Sequence, residues 1–260
     1  MKIIQNFIPV GCANRKGIKL KKILGLVIHW IGVAQPRVSV IRNNFANYNR
    51  VGATQYIIDY NSGEIIQTMP EDEMTYHVGA KNYTKLKDSL VGKNQNPNNY
   101  FVGIECCISR RDKITNDYAN KKTNLELGKP SENQYENLVD FSADFLIRNN
   151  LTVDNLYRHY DITGKACHVY FYKNEDKWQQ FKKDVANRME ELNMVRYKSI
   201  EEVPEWYKAS VEKLIKAGVI SGTGNGLDLL EESARQWTIM DRLGILDFFI
   251  ERRKEKCLMN

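Results

Sequence analysis

The stretch Arg158-His159-Tyr160-Asp161-Ile162-Thr163-Gly164-Lys165-Ala166-Cys167 places a histidine, a lysine and a cysteine around a Thr-Gly turn. Neutral imidazole and thiolate are preferred protein ligands for zinc, and a nearby ammonium favours thiolate over thiol. Two ligands leave a metal incomplete. The candidate third is His29, which follows the apolar run Ile23 to Ile28. Two histidines and one cysteine, with a fourth position open to water, form a catalytic zinc pattern rather than a closed structural one. His-x7-Cys spacing is not specific for zinc, so a satisfied histidine beside a buried thiol is the plain competing reading. Another is Cys167 as nucleophile with His159 as its base, a metal-free cysteine peptidase or amidase. That reading leaves His29 without a task.

The elements that must position these groups follow from pattern. Ile23 to Trp30 reads as a buried strand, and Val38 to Tyr48 as a helix with Val38, Ile41 and Phe45 on one face. Gln55 to Tyr60 and Glu64 to Met69 are β-rich runs joined by Asn61-Ser62-Gly63, a hairpin signal. Pro70 to Tyr100 reads as loop and carries His77. Phe101 to Ile108 is a strand whose alternation sets Gly103, Glu105 and Cys107 on one face and Ile104, Cys106 and Ile108 on the other. Glu105 is the residue to question there, since an unpaired buried carboxylate is costly. Gly103 leaves room over that face for a ligand. The structural alternative for Glu105 is an ion pair, with Arg158 the candidate. Ser131-x-x-Gln134 is a capping box opening a helix that ends at Arg148-Asn149-Asn150. Leu156 to His159 returns to strand, and Asn174 caps a helix with Trp178, Phe181 and Val185 inward. Strands alternating with helices, plus one hairpin, predict an α/β domain over residues 1–192: a mixed central β-sheet flanked by helices.

A different module follows at 203–260. Val203 to Ala217 and Glu231 to Leu243 read as amphipathic helices, stopped by Gly218 and Gly244. The glycine-rich loop between them lacks a preceding strand and a following Gly-Lys-Ser/Thr, so it is not a phosphate-binding loop.

Composition bounds the function. The 260 residues are 42% hydrophobic and 27% charged, the balance of a globular protein with a sizeable core. No apolar run reaches the ~18 residues of a membrane span. The amino end shows no secretory cleavage pattern, so the expectation is synthesis in the cytoplasm without a signal peptide. Five cysteines, two of them adjacent, are a poor disulfide framework. Residues 203–260 carry nine Lys/Arg and nine Asp/Glu, which confines the net charge of +6 to the first 202 residues. A mildly basic surface suits an anionic polymer such as cell wall. Nucleic-acid binding would rest on charge alone and is not expected.

These motifs together resemble the type 2 N-acetylmuramoyl-L-alanine amidases, the zinc amidases of phage endolysins and autolysins that share a fold with peptidoglycan recognition proteins. The resemblance runs from about Leu26 to Val185. In order, it rests on Val-Ile-His29-Trp, Gly52-Ala-Thr-Gln-Tyr-Ile-Ile-Asp59, Glu64-Ile-Ile-Gln-Thr-Met-Pro70, Tyr76-His-Val-Gly79, Val102-Gly-Ile-Glu105 and Arg158 through Cys167. It implies one zinc ion held by His29, His159 and Cys167, with Lys165 beside it and Glu105 as the catalytic carboxylate. It also implies substrate contacts at His77 and Thr54. Thr54 stands where another branch of the family uses a tyrosine, and Tyr56, two residues on, is the reserve candidate. His168, where the family usually has proline, is kept out of the ligand set. The implied reaction is hydrolysis of the amide joining N-acetylmuramic acid to L-alanine in peptidoglycan, causing wall lysis after release from the cell. A non-catalytic peptidoglycan-recognition protein on the same fold is the other alternative, and retention of every candidate ligand argues against it. Trp206 to Gly222 resembles an S-layer-homology-type repeat more loosely. It implies that the tail binds the wall, through a secondary anionic polymer.

Overall fold

The alternating apolar runs assemble into one six-stranded sheet. The computed structural model describes residues 2–47, 51–109, 126–193, 195–221 and 226–258. The strands are β1 (Ile3–Gln5), β2 (Gly25–Trp30), β3 (Tyr56–Ile58), β4 (Ile65–Gln67), β5 (Phe101–Cys106) and β6 (Leu156–Arg158). Their order is β1-β4-β3-β5-β2-β6. Only the β3–β4 hairpin is antiparallel; the other four pairings are parallel, so the sheet is mixed. All six residues of β2 are buried. This is why its sequence is a continuous apolar run rather than an alternating one: a central parallel strand is covered on both faces.

One face of the sheet carries Leu26, Ile28, Val102, Ile104 and Cys106 against α3 (Glu132–Arg148) and α6 (Glu175–Asn193), through residues such as Phe141, Phe145, Trp178 and Phe181. On the other face Val27 and Phe101 pack with Val78, Val91 and Ile162. The helices there are α2 (Lys85–Val91) and α4 (His159–Thr163). Helix α1 (Val38–Asn47) packs Val38 and Ile41 on Ile57 and Ile66. A short α5 (Val169–Lys173) precedes α6.

Several local expectations are corrected. Ser131 does cap α3, accepting from the Gln134 amide, but Gln134 does not reach back to close the box. Its side chain instead donates to the carbonyls of Ile58 and Cys107, tying the ends of β3 and β5 to the helix. His159 does not continue β6 and is the first residue of α4. Asp161 accepts from the Arg158 backbone N–H at 2.7 Å, which ends the strand and starts the helix. Gly164, at φ +76°, closes α4 in the left-handed conformation that glycine adopts without strain. The stretch Pro70–Tyr100 is not all loop: it holds α2 and a 3-10 turn at Pro97–Asn99, where Pro97 fills the first helical position and Asn96 accepts from the Asn98 amide.

The chain divides into two units, Met1–Glu190 and Glu191–Asn260. The second contains α7 (Glu205–Lys216), α8 (Glu231–Arg242) and α9 (Ile245–Leu258), plus a two-stranded ladder of β7 (Arg196–Tyr197) and β8 (Leu229–Leu230). The ladder and α9 are additions to the expected pair of helices. Most of the glycine-rich loop, residues 222–225, lies outside the described residues. Among those described, no helix is long and apolar enough to cross a membrane.

Candidate metal centre

The site lies at the carboxyl ends of β2, β5 and β6, where loops leave the parallel strands and an open α/β sheet offers a crevice. His29 and Glu105 occupy matching positions in the β2–β5 ladder, so their side chains stand next to each other on the same face. His159 follows directly on β6, and the α4 turn brings Cys167 back to it. The Cys167 carbonyl accepts from the Tyr160 amide at 2.8 Å. One ligand atom each from His29, His159 and Cys167 falls within 4.8 Å of the others, and all three residues are buried. Glu105, Lys165 and these three line an open cleft of about 530 Å³, with Val33, Ile41 and Phe45 also on its walls.

The donor set fits zinc. His29 Nδ1 lies 3.6 Å from Cys167 Sγ. Tetrahedral zinc, with bonds of ~2.05 Å to nitrogen and ~2.3 Å to sulfur, separates two such ligands by about 3.6 Å. His159 Nε2 is buried without a hydrogen-bond partner, an orphan that a metal would satisfy. The Gly79 backbone hydrogen-bonds the same ring and favours its protonated form. The Glu105 Oε2 atom is likewise buried and unpartnered.

The electrostatics agree with that set. Burial holds the His29 imidazole well below its ordinary pKa, helped by the nearby His159, His77 and Lys165. Burial and Lys165 bring His159 down to about 3, and burial brings His77 down to about 4. The imidazoles are therefore neutral at physiological pH, as a metal ligand requires. Burial and the Glu105 charge push the Cys167 thiol up, against smaller opposite effects of the Trp30 backbone and Lys165. Glu105 is raised to about 7 by burial, with Lys165 pulling it back.

Residues 19–169, more than half of the chain, match the family described as N-acetylmuramoyl-L-alanine amidase. The chain belongs to that family. It is 27% identical over 191 residues to a probable N-acetylmuramoyl-L-alanine amidase of Bacillus licheniformis, an alignment covering 71% of this chain and 47% of that protein. N-acetylmuramoyl-L-alanine amidase CwlL of the same organism is 24% identical over 192 residues, with the same two coverages. The chain thus spans about half the length of the curated relatives it matches. The catalytic domain of XlyA shares the fold, with a TM-score of 0.53 and 21% identity over 71% of this chain and 99% of that one.

This amidase-family site gathers His29, His77, Glu105, His159, Lys165 and Cys167 around one cleft and leaves Thr54 behind it. Thr54 is fully buried and its hydroxyl donates to the Tyr56 carbonyl, so it offers the cleft no polar group. Tyr56, the reserve for Glu105, lies away from the cleft. It pairs with Ile104 in the β3–β5 ladder, so it faces α3; it stacks edge-on against Phe141 and donates to Glu71 at 2.7 Å. Arg158 is not a partner of Glu105 either: it bonds Asp161, Glu175 and the Phe171 carbonyl. The space above Gly103 is not left for a ligand. A Cβ there would stand 2.6 Å from His77 Nδ1 and 2.8 Å from the Thr54 methyl, so the glycine makes room for the His77 ring. His168 is buried beside Phe171, with its Nδ1 unpartnered. Sequence reasoning missed Asn98, whose carboxamide oxygen accepts from the amides of His77 and Val78 and so fixes the loop bearing His77. Its signal was present in the Asn-Pro-Asn-Asn run, a composition suited to local side-chain turns.

Proposed function

We propose that this chain is a zinc-dependent N-acetylmuramoyl-L-alanine amidase that cleaves the bond between N-acetylmuramic acid and L-alanine in peptidoglycan. The observation that carries it is the convergence of two neutral imidazoles and a thiol, their ligand atoms within 4.8 Å of one another, beside an unpartnered carboxylate. His29, His159 and Cys167 hold the metal. The bound zinc supplies Lewis acidity and brings the pKa of water into the neutral range.

This chain's own residues then move the protons. Glu105, poised by its raised pKa, accepts a proton from the attacking water and returns one to the departing amine of L-alanine. Lys165, exposed at the rim, places its positive charge where the carbonyl oxygen becomes negative. The open cleft admits a stem peptide along its length, with His77 contributing to the wall. The second unit, with Trp206, Phe248 and Phe249 exposed, serves as the wall-binding part and takes a secondary anionic polymer. The protein acts on the wall after its release.

Metal analysis of the purified protein, combined with fragment analysis of digested walls, tests this reading. One zinc per chain and new amino-terminal alanine are expected. New reducing sugars, or activity that survives complete metal removal, would defeat it.

A further inference from the structure

We infer that His77 is a positioning residue that fixes the tautomer of His29 through a hydrogen-bond chain ending on the Phe101 carbonyl, leaving His29 Nδ1 as the metal-binding lone pair. The inference deepens the zinc reading and rests on it.

Proton counting along the chain gives the direction. His77 Nε2 is 2.9 Å from the Phe101 carbonyl oxygen, which can only accept, so His77 carries its proton on Nε2. Its Nδ1 is then the lone-pair nitrogen. His29 Nε2 lies 2.9 Å from that Nδ1, so the hydrogen between them belongs to His29 Nε2. His29 Nδ1 is thereby left bare, and it is the nitrogen that faces Cys167 Sγ at 3.6 Å. A neutral histidine has one N–H and one lone pair, and the partner of its outer nitrogen decides which atom can bind a metal.

The surroundings hold the chain in place. His77 is anchored by Asn98, which accepts from its backbone N–H at 2.9 Å. The two rings meet edge to face, with centroids 5.1 Å apart. Gly103 provides the space: an added Cβ would meet His77 Nδ1 at 2.6 Å and Cε1 at 3.0 Å. His77 is 7% exposed, so its ring nitrogens are occupied within the protein rather than by solvent. The carbonyl at the end of the chain belongs to β5, two residues before Gly103 and four before Glu105. A single strand thus supplies the carboxylate, the room for the relay and its terminal acceptor.

Two measurements on the full chain test this. In the metal-free wild type, long-range proton–nitrogen NMR of the histidine rings should show both His29 and His77 protonated on Nε2. Zinc affinity, read by competition with a chromophoric chelator, should fall ~10–100-fold in His77→Phe, which keeps the ring but offers neither acceptor nor donor. His77→Asn, whose carboxamide oxygen can stand near the Nδ1 position, should stay within about threefold of wild type, because the acceptor for His29 Nε2–H is restored. A merely structural role would lower the denaturation midpoint of both metal-free variants and leave the zinc affinity of the folded protein unchanged. Wild-type affinity in His77→Phe, or a proton on His29 Nδ1 in the metal-free protein, overturns the inference while leaving zinc binding by the wild type intact. A wild type that binds no zinc at all removes the metal reading itself, and the two failures are therefore distinct. Should His77→Phe not fold, the tautomer measurement on the wild type decides alone.

Discussion

Glu105→Gln should separate stability from catalysis in a pH-dependent way. The carboxyl is raised from an ordinary value of 4.5 to about 7 by burial, and Lys165 only partly opposes the shift. Between those values the folded chain keeps a proton that the unfolded chain has released. The contribution of Glu105 to folding stability therefore falls as pH rises through this window, and above pH 7 its whole penalty is present. A shift of about 2.5 units corresponds to about 3 kcal/mol at ~1.4 kcal/mol per unit. Glutamine has the same shape and does not titrate, so it carries no such penalty. Urea denaturation of metal-stripped full-length chains should show the variant close to wild type at pH 4.5 and up to about 3 kcal/mol more stable at pH 8. Bound zinc favours the ionised carboxylate and should shrink that advantage. Meanwhile turnover of wall substrate by the zinc-loaded variant should drop ~100-fold or more, the scale of a lost general base. A variant equal to or less stable than wild type at pH 8 would mean that the carboxylate has a stabilising partner, and the reading of Glu105 as a strained functional group would fail.

Cys167→Asp should keep zinc and measurable activity, because a carboxylate can replace a thiolate on the metal, while Cys167→Ala and His29→Ala should lose both. Metal content and wall turnover check this, and an inactive Cys167→Asp beside an active His29→Ala would restore the cysteine nucleophile. Tyr56→Phe removes the bond to Glu71 and should cost about 1 kcal/mol in denaturation with turnover unchanged; a large fall in turnover would return Tyr56 to the chemistry. The metal-free protein should lose stability as pH falls below 6.5, because burial depresses His159 to about 3 and His77 to about 4, the unfolded chain takes up protons first, and these two histidines outweigh the opposite contribution of Glu105. Each such histidine contributes a slope of up to ~1.4 kcal/mol per pH unit, and a flat stability profile from pH 6.5 to 4 would contradict their burial as neutral rings.

The parts of the site legible in the sequence were those that a single element dictates. Strand alternation alone put Glu105 opposite Ile104 and Cys106, and β5 places Ile104 and Cys106 in the core under α3. The run Ile23–Trp30 had the unbroken apolarity of a central strand, and its histidine stood out for that reason. What could not be read were the choices between partners in three dimensions. Arg158 had several carboxylates to choose from and pairs with two, Glu175 and Asp161; the latter, three residues on, also supplies the cap that ends β6. Gln134 satisfied the rule for a capping box, yet two buried strand-end carbonyls competed successfully for its amide. Gly103 signalled close approach correctly, but what approached was the ring of a histidine from a stretch read as loop. Short elements such as α2 and α4 were missed or misplaced because five to seven residues hold too few turns for a periodic signal.

The choice between a thiol nucleophile and a metal ligand at Cys167 follows from where the protons sit. A nucleophilic cysteine needs a thiolate and an imidazole able to take its proton. Here burial and the Glu105 charge push the thiol up, while burial pushes His29 and His159 down, so proton transfer to either imidazole is opposed from both ends. His29, the imidazole nearest the sulfur, also sits beside His159 and Lys165, where an added positive charge is unfavourable. A divalent cation among these groups would act differently on each. It would lower the pKa of the thiol and of Glu105 by direct attraction and would use the neutral imidazoles through their lone pairs. One ion would thereby relieve the raised acid, the raised thiol and the orphaned His159 Nε2 together, whereas an ion pair between Cys167 and an imidazole would relieve only the thiol.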